Sequence, residues 1–228
     1  MSELKLNLGA GDWQQDGWTT YDKIQRGNTD HVVDFSGQYQ LPGGVSKIYV
    51  SHMLEHLAQR DVTRLPRACC NALDFGGVMR IICPDYDRFE QAYRDKAWRT
   101  YYDNEAVRNE IAMEGDSIAA RFASMICRFK DGGYVGPPII TQDAIMDKHA
   151  SMSMDGFVRW VVEQAPPGVE FDHQNAFNET RIRKLLSAAG FAKSKIHLAA
   201  AWSGTDPEMC RDAFTTRPLT SLFIEAVK

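Results

Sequence analysis

Short apolar segments, each closed by a polar or small residue, recur along the amino-terminal part of the chain. They are rich in β-branched residues and too short for helices, which is typical of strands in a largely parallel sheet covered on both faces. They predict strands at residues 5–8, 18–21, 31–33, 47–50 and 78–83. Two further segments of this kind, around 195–201 and 220–227, predict strands near the carboxyl end.

Apolar residues at helical spacing predict two helices between these strands. The first covers residues 57–74 and contains Pro66, which is expected to kink the helix or to mark its start. The second precedes the last two strands, with Asn178 as its N-cap and Gly190 just after its end.

The pattern is helical from about residue 86 to residue 166, apart from a glycine- and proline-rich loop at 132–138. One predicted helix face carries Val107, Ile111, Ile118, Phe122, Met125 and Phe129. A further helix carries Phe157, Val158, Val161 and Val162. This block is expected to be an insertion that covers the substrate, and its polar and aromatic candidates for substrate contact are Tyr86, Arg88, Tyr134 and His149.

Together these elements predict an α/β fold with a Rossmann-like, seven-stranded, mostly parallel sheet, helices on both faces and a helical insertion after the fifth strand. Residues 1–228 are expected to form a single domain. The composition is that of an ordinary globular protein, with 44% hydrophobic and 25% charged residues.

Charge and cysteine content narrow the classes of partner. A net charge of −4 and a pI near 5.9 give no reason to expect nucleic acid. No apolar segment approaches the roughly 20 residues that span a bilayer, so no membrane is expected. The cysteines lack metal-site or disulfide spacing, which predicts reduced thiols in a cytoplasmic protein. The oligomeric state is not predicted.

A glycine turn after the first strand carries the candidate chemistry. Gly9 and Gly11 flank Ala10, and glycine permits close approach of a ligand to the backbone. The dinucleotide fingerprint GxGxxG would require a third glycine at position 14, which is Gln14. A pyrophosphate is therefore disfavoured, whereas S-adenosylmethionine (SAM) has no phosphate.

Acidic residues end the next two strands. A carboxylate in this position can accept hydrogen bonds from both ribose hydroxyls of a nucleoside, so Asp22 is the ribose candidate. Asp34 is the candidate for the adenine amino group, with Phe35 packing on the ring. Alternatively, each aspartate caps a turn.

Several segments together resemble one family. They are Leu6-Asn7-Leu8-Gly9-Ala10-Gly11, Gly17-Trp18 with Asp22, Ser51-His52-Met53-Leu54-Glu55-His56-Leu57, Phe75-Gly76-Gly77-Val78 with Cys83-Pro84-Asp85, and Asp172-His173-Gln174-Asn175-Ala176-Phe177 with Ala189-Gly190-Phe191. In this order they resemble class I SAM-dependent methyltransferases, and most closely the bacterial branch of the methyltransferase type 11 group. The resemblance covers residues 4–85 and 170–228.

The resemblance implies SAM as cofactor, S-adenosylhomocysteine as product, and methyl transfer to a small-molecule or saccharide-linked acceptor. It implies that Gly9 and Gly11 pass beneath the methionine part of SAM, and that Ser51 and His52 lie near the sulfonium. Two features depart from the family. Asn7 replaces the usual Asp or Glu, and residues 12–17 are too few for an ordinary first helix.

Three other interpretations remain open. The segment from His52 to His56 spells H-x-x-E-H, a zinc-peptidase pattern, but a strand directly before His52 argues against helical geometry, and no metal ligand is expected. His173, like His52, is a candidate catalytic base, or it only orders its loop. The whole chain could also be a non-catalytic nucleoside-binding module or, against the evidence of Gln14, an NAD-dependent oxidoreductase.

Overall fold

The computed structural model describes residues 3–96, 118–130, 135 and 139–228, and its centre is a seven-stranded sheet. The strands are β1 (Leu4–Leu8), β2 (Thr19–Asp22), β3 (His31–Val32), β4 (Val45–Ser51), β5 (Leu73–Pro84), β8 (Ile196–Ala199) and β9 (Ser221–Val227). Their order across the sheet is β3-β2-β1-β4-β5-β9-β8. Among the described strands of this sheet, only the pairings of β9 are antiparallel. The predicted Rossmann-like, mostly parallel sheet is confirmed.

One face of the sheet, here called the first face, is apolar and is covered by two α-helices. These are α1 (Gln59–Ala72) and α6 (Glu179–Ala189), which also pack against each other. The buried residues that meet there include Leu6, Leu8, Ile48, Val50, Leu65, Ile182, Leu186 and Ile224. Each strand alternates its side chains between two faces, so these positions share one side of the sheet.

Both predicted helices are present; α1 is two residues shorter at each end than the predicted 57–74, and α6 has its predicted ends. Pro66 lies inside α1 rather than at its start. The Asn178 side chain accepts a hydrogen bond from the Arg181 backbone N–H at 3.0 Å, and Gly190 ends α6 with φ +116°. This φ lies in the left-handed region that glycine adopts without a steric penalty.

The opposite, second face carries a row of polar and aromatic residues beside a smaller apolar cluster that includes Ile82, Met209 and Phe223. Thr20, Asn7, Tyr49, Arg80 and Glu225 are neighbours in register across five strands. Two tryptophans and two 3-10 turns cover them, the turns being Glu208–Cys210 and Asp212–Phe214. Helical cover on this face therefore consists of single turns.

The described part of the insertion has its own hydrophobic core. Its elements are α2 (Tyr86–Arg94), α3 (Ile118–Ile126), β6 (Arg128–Phe129), α4 (Gln142–Ser151) and α5 (Met154–Glu163), and β6 pairs with β7 (Phe171–His173). The predicted helix at 157–162 is confirmed as α5. Phe122 and Met125 lie on α3, but Phe129 belongs to a strand, which corrects the prediction of one continuous helix. Val107 and Ile111 lie outside the described residues.

All five cysteines are free thiols, and four of them are buried. Within the described ranges, none of the helices has the length and apolarity required to cross a bilayer.

Candidate functional site

The glycine turn at the end of β1 is shaped by its backbone. Gly9 has φ +73° and Gly11 has φ +56°. A Cβ on Gly9 would lie 2.4 Å from the Met53 Cγ atom, so only glycine fits there. A Cβ on Gly11 would meet nothing within 4 Å. The turn is thus packed against Met53 at Gly9, whereas the space beside Gly11 is open.

Asp22, at the end of β2, holds this turn. One carboxylate oxygen accepts a hydrogen bond from the Gly11 backbone N–H at 2.8 Å, and the other accepts from the Ile24 N–H at 3.0 Å. The Tyr21 carbonyl accepts from the backbone N–H groups of Gly9 and Ala10 at 2.8 and 3.1 Å. The order of β1 and β2 therefore brings together the glycines and the aspartate that the sequence singled out. The ribose contact of Asp22 stays a prediction.

An aromatic cluster takes the place of the first helix. Residues 12–18 form turns without helix, as the short span between β1 and β2 predicted. Trp13 packs 5.3 Å from the Phe214 ring and 5.6 Å from the Tyr49 ring, and its indole N–H donates to the Ala213 carbonyl at 2.7 Å. Trp18 packs 5.0 Å from Phe214. The cluster anchors the turn to the second face of the sheet.

Asn7 lies directly beneath this turn. It is 2% exposed and aligns with Thr20 on one side and Tyr49 on the other. It therefore lies in the row of polar residues on the second face, in register between β2 and β4.

Asp34 and Phe35 follow β3 in a tight turn. Asp34 is exposed and accepts hydrogen bonds from the backbone N–H and hydroxyl of Ser36, at 2.9 and 2.7 Å. These bonds hold the pKa of its carboxyl below the ordinary value. Phe35 is 3% exposed and packs edge-on against Tyr39, 4.9 Å away. The adenine contacts predicted for both residues stay predictions.

Ser51 and His52 stand at the end of β4, next to the glycine turn. The Ser51 hydroxyl lies 2.8 Å from the Thr216 hydroxyl. His52 adopts φ +50°, a rare conformation for a residue with a Cβ, which often occurs at functional sites. Its Nδ1 atom lies 3.1 Å from Glu55 and its Nε2 atom 3.0 Å from the Ser221 hydroxyl. The imidazole is therefore fixed at both nitrogens.

Glu55 is a buried carboxylate behind His52. It is 1% exposed, and one of its oxygens has no hydrogen-bond partner. Burial opposes its ionisation, but the hydrogen bond from His52 and the nearby imidazoles outweigh burial, so its pKa is lowered. The 3-10 turn Leu54–His56 carries it. His52 lies outside this turn, so the H-x-x-E-H segment lacks the helical geometry of a zinc peptidase.

His173 lies on β7, beside this turn. It is 7% exposed, and its ring centre is 4.9 Å from that of His56. Burial lowers the pKa of His173 because desolvation disfavours the imidazolium, and the negative charge of Glu55 offsets this only in part. Its role as a base stays a prediction.

The substrate-contact candidates of the insertion have different environments. Tyr86 is 5% exposed and packs against Phe122, and His149 bonds to Glu90 at 2.8 Å inside the same aromatic core. Arg88 lines a cleft of about 450 Å³ beyond β5. Tyr134 lies outside the described residues.

Some residues of this edge gave no clear signal in the sequence. Met53 supports Gly9, while Thr216 and Ser221 reach the site from a segment far along the chain. In the sequence, the H-x-x-E-H spacing pointed to Glu55 and His56, but it suggested a helical zinc-peptidase site. The contacts of Thr216 with Ser51 and of Ser221 with His52 join residues more than 160 positions apart, so no local sequence pattern predicts them.

Comparison with known proteins gives structural neighbours only. No family model and no curated protein matches the sequence. The structure is similar to a SAM-dependent methyltransferase from Mesorhizobium loti, with 14% identity and a TM-score of 0.44, over 100% of this chain and 91% of that one. It is similar to the SAM-dependent methyltransferase SibL, with 9% identity and a TM-score of 0.44, over 100% of this chain and 50% of that one.

A further neighbour has a different description. It is a Rhodobacter sphaeroides protein described as a Zn-dependent alcohol dehydrogenase, with 12% identity and a TM-score of 0.42, over 100% of this chain and 85% of that one. SAM-dependent methyltransferases are thus among the structures that this chain is similar to. At such identities and TM-scores, both the fold and the activity have to be argued from this chain's own residues.

Proposed function

We propose that this chain is a SAM-dependent methyltransferase that binds its cofactor over the glycine turn. In open α/β sheets, ligands bind at the carboxyl ends of the strands, where the strand order reverses. Here the order reverses between β1 and β4, which end at Leu8 and Ser51. The candidate residues that follow these two strands therefore lie on either side of the reversal point.

The observation that carries the proposal is the glycine turn held by the Asp22 carboxylate; the lack of a helix after this turn departs from the family and argues only against a dinucleotide. Dinucleotide sites bind their pyrophosphate at a helix N-terminus, where backbone N–H groups and the helix dipole favour negative charge. In this chain, residues 12–18 form turns and the third glycine is replaced by Gln14. The site therefore suits a nucleoside cofactor without phosphates, such as SAM, better than NAD.

The residues at this edge fit the parts of SAM. Asn7, 2% exposed on β1, offers an amide that suits the methionine end of the cofactor. Gly11 leaves open space above the backbone. Asp22 presents a carboxylate that suits the ribose hydroxyls, and Asp34 lies further along the same edge.

The chain's own residues align the reactants and manage a proton. SAM supplies an already activated leaving group, so the main requirement is in-line placement of the acceptor. Glu55 and Ser221 fix both nitrogens of His52, which orients the imidazole at the sheet edge. His52 is the proposed base, and because its Nε2 atom is bonded to the Ser221 hydroxyl, it would take the proton of an acceptor hydroxyl or amine through that hydroxyl.

The acceptor and the setting are further parts of the proposal. The negative net charge favours a small molecule or a saccharide-linked acceptor over nucleic acid. The insertion, in one domain with the sheet, follows β5 at the same edge and is proposed to cover the acceptor. The free thiols favour the cytoplasm.

Calorimetry with two matched glycine variants tests the cofactor. Gly11→Ala and Gly168→Ala carry the same backbone strain, because both glycines have positive φ and open space around them. We expect SAM and S-adenosylhomocysteine to bind the parent protein and Gly168→Ala alike. Gly11→Ala should bind at least about tenfold more weakly, because its methyl group enters the ligand space.

Other outcomes would redirect the proposal. Tight binding of NAD with none of SAM would overturn it. Equal SAM binding by the two variants would move the cofactor away from Gly11. SAM binding without methyl transfer across a broad panel of acceptors would indicate the non-catalytic module.

A further inference from the structure

Three side chains with metal-ligating atoms converge between the sheet and the insertion. They are Glu55 and His56 on the 3-10 turn after β4, and His173 on β7. One ligand atom from each lies within 4.8 Å of the other two. A single ion can contact atoms at this separation after small side-chain adjustments, because metal–nitrogen and metal–oxygen bonds are about 2.0–2.2 Å long.

The hydrogen bonds of the two histidines leave their Nε2 lone pairs free. The His56 Nδ1 atom is bonded to the Asp172 carbonyl, and the His173 Nδ1 atom lies 3.1 Å from the Met125 carbonyl. A carbonyl oxygen only accepts, so each Nδ1 carries the proton and each Nε2 is unprotonated in the neutral ring. Metal-bound histidines are typically oriented in this way, by a carbonyl or carboxylate on the other nitrogen.

Glu55 supplies independent evidence for a missing ligand. It is 1% exposed, yet one carboxylate oxygen is buried without a hydrogen-bond partner. Leaving a charged acceptor unpaired in the interior is costly. The other oxygen is held by His52, so the carboxylate is already oriented. A cation beside Glu55 would provide the absent partner.

We propose that Glu55, His56 and His173 bind a divalent transition-metal ion. Two imidazoles and one carboxylate suit Zn²⁺ and its neighbours in the first transition row better than Mg²⁺ or Ca²⁺, which prefer oxygen ligands. Three protein ligands leave a further coordination position for water or a substrate oxygen. His56 is exposed, so that position is open to solvent.

The ion would also join two parts of the fold. Gln174 donates its backbone N–H to the Glu55 carbonyl at 2.7 Å, so β7 is already attached to the turn. Metal ligation adds a second connection between these elements. Binding to the folded state alone would raise the thermal midpoint as the ion is added.

This site differs from the H-x-x-E-H peptidase pattern. In that pattern the two histidines are the ligands and the glutamate acts as a base. Here His52 is occupied by Glu55 and Ser221, and the ligand from outside the turn is His173, which lies more than 100 positions away along the chain.

The test is a Co²⁺ titration of the full chain after treatment with a chelator. Visible absorption reports ligation, and added Zn²⁺ should displace the cobalt. We expect one equivalent to bind and the thermal midpoint to rise. His56→Gln should weaken Co²⁺ binding about tenfold or more, and so should His173→Gln. His197→Gln removes a histidine from β8 and should bind as the parent protein does.

The variants separate the possible outcomes. His173 is buried, so circular dichroism must confirm that His173→Gln folds. His56 is exposed, so if His173→Gln does not fold, the Co²⁺ affinity of His56→Gln tests the proposal. Unchanged Co²⁺ affinity in His56→Gln would overturn the proposal, as would no binding by the parent protein. If His52→Asn lost Co²⁺ binding while His173→Gln bound as the parent protein does, the ligands would instead be His52 and His56, as in the peptidase pattern. The titration needs no SAM, so its failure leaves the proposed function untouched.

Discussion

The first face of the sheet is covered by two α-helices, whereas the second face is covered by turns that ion pairs and aromatic rings hold in place. Leu65 and Leu186 on the first face are fully buried among apolar neighbours. On the second face, Arg80 and Glu225 are both 0% exposed and lie 2.5 Å apart. Arg80 also donates to the carbonyls of Ala200 and Ala201, at 2.7 and 3.0 Å.

The two faces are linked to the site by different kinds of contact. The segment that Arg80 anchors continues to Thr216, which lies against Ser51, and to Ser221, which lies against His52. The first-face core reaches the site through the apolar side chain of Met53, which supports Gly9, and such packing is non-directional. Polar anchoring on the second face fixes orientation, because hydrogen bonds depend on angle as well as distance.

Breaking the buried ion pair should give the largest loss of stability. Arg80→Met leaves the Glu225 carboxylate buried without its cation, which should lower the free energy of unfolding by about 3–5 kcal/mol. Denaturation with urea measures it. The double variant Arg80→Met with Glu225→Met should recover part of the loss, because no charge is then buried.

An exposed arginine provides the control for this variant. Arg67→Met, on the outer side of α1, should change stability by less than about 0.5 kcal/mol. A loss under about 1 kcal/mol in Arg80→Met would mean that the ion pair does not dominate the second face.

A cavity on the first face should cost about 3 kcal/mol. Leu65→Ala removes buried methyl groups between α1 and the sheet. Its effect should be the same at low and high salt, because the interaction is apolar, and SAM affinity should be unchanged. Urea unfolding in two salt concentrations and calorimetry measure these quantities. Thr63→Ala on the exposed side of α1 is the control. A loss of SAM affinity would contradict the independence of the two faces.

The smallest effect concerns acid stability on the second face. Burial opposes ionisation of Glu208, but hydrogen bonds from Lys47, Lys5 and Trp18 outweigh burial and lower its pKa to about 2. Stability from this carboxylate is therefore present above its ordinary value of 4.5 and is lost as the pH falls towards 2.

Glu208→Gln should flatten this acid dependence. We expect it to lower stability at pH 5 by about 1–2 kcal/mol, discounted for partial solvent screening. The difference in free energy of unfolding between the variant and the parent protein should be smaller at pH 3. Urea unfolding at pH 5 and pH 3 measures this difference, with the exposed Glu163→Gln as control. A constant gap across this range would show that Glu208 acts through packing rather than charge.

Much of the sheet and of the glycine turn could be predicted from local sequence. Strand identities follow from short β-branched segments, and the ends of α6 from Asn178 and Gly190, because these signals act within one or two turns of backbone. The contact of Asp22 with Gly11 follows from the parallel pairing of β1 with β2. The pairing of β6 with β7 was not predicted, because strands of two and three residues are too short to show a period of two.

The sequence by itself determined the fold class, the glycine turn with its aspartate, and the lack of a first helix after Gly11. Each depends on neighbours along the chain or on the regular order of parallel strands. Tertiary structure decided what replaces that helix, how Ser221 reaches His52, and that Glu55, His56 and His173 converge. Those contacts join residues more than 100 positions apart, and only the packing of distant elements brings them together.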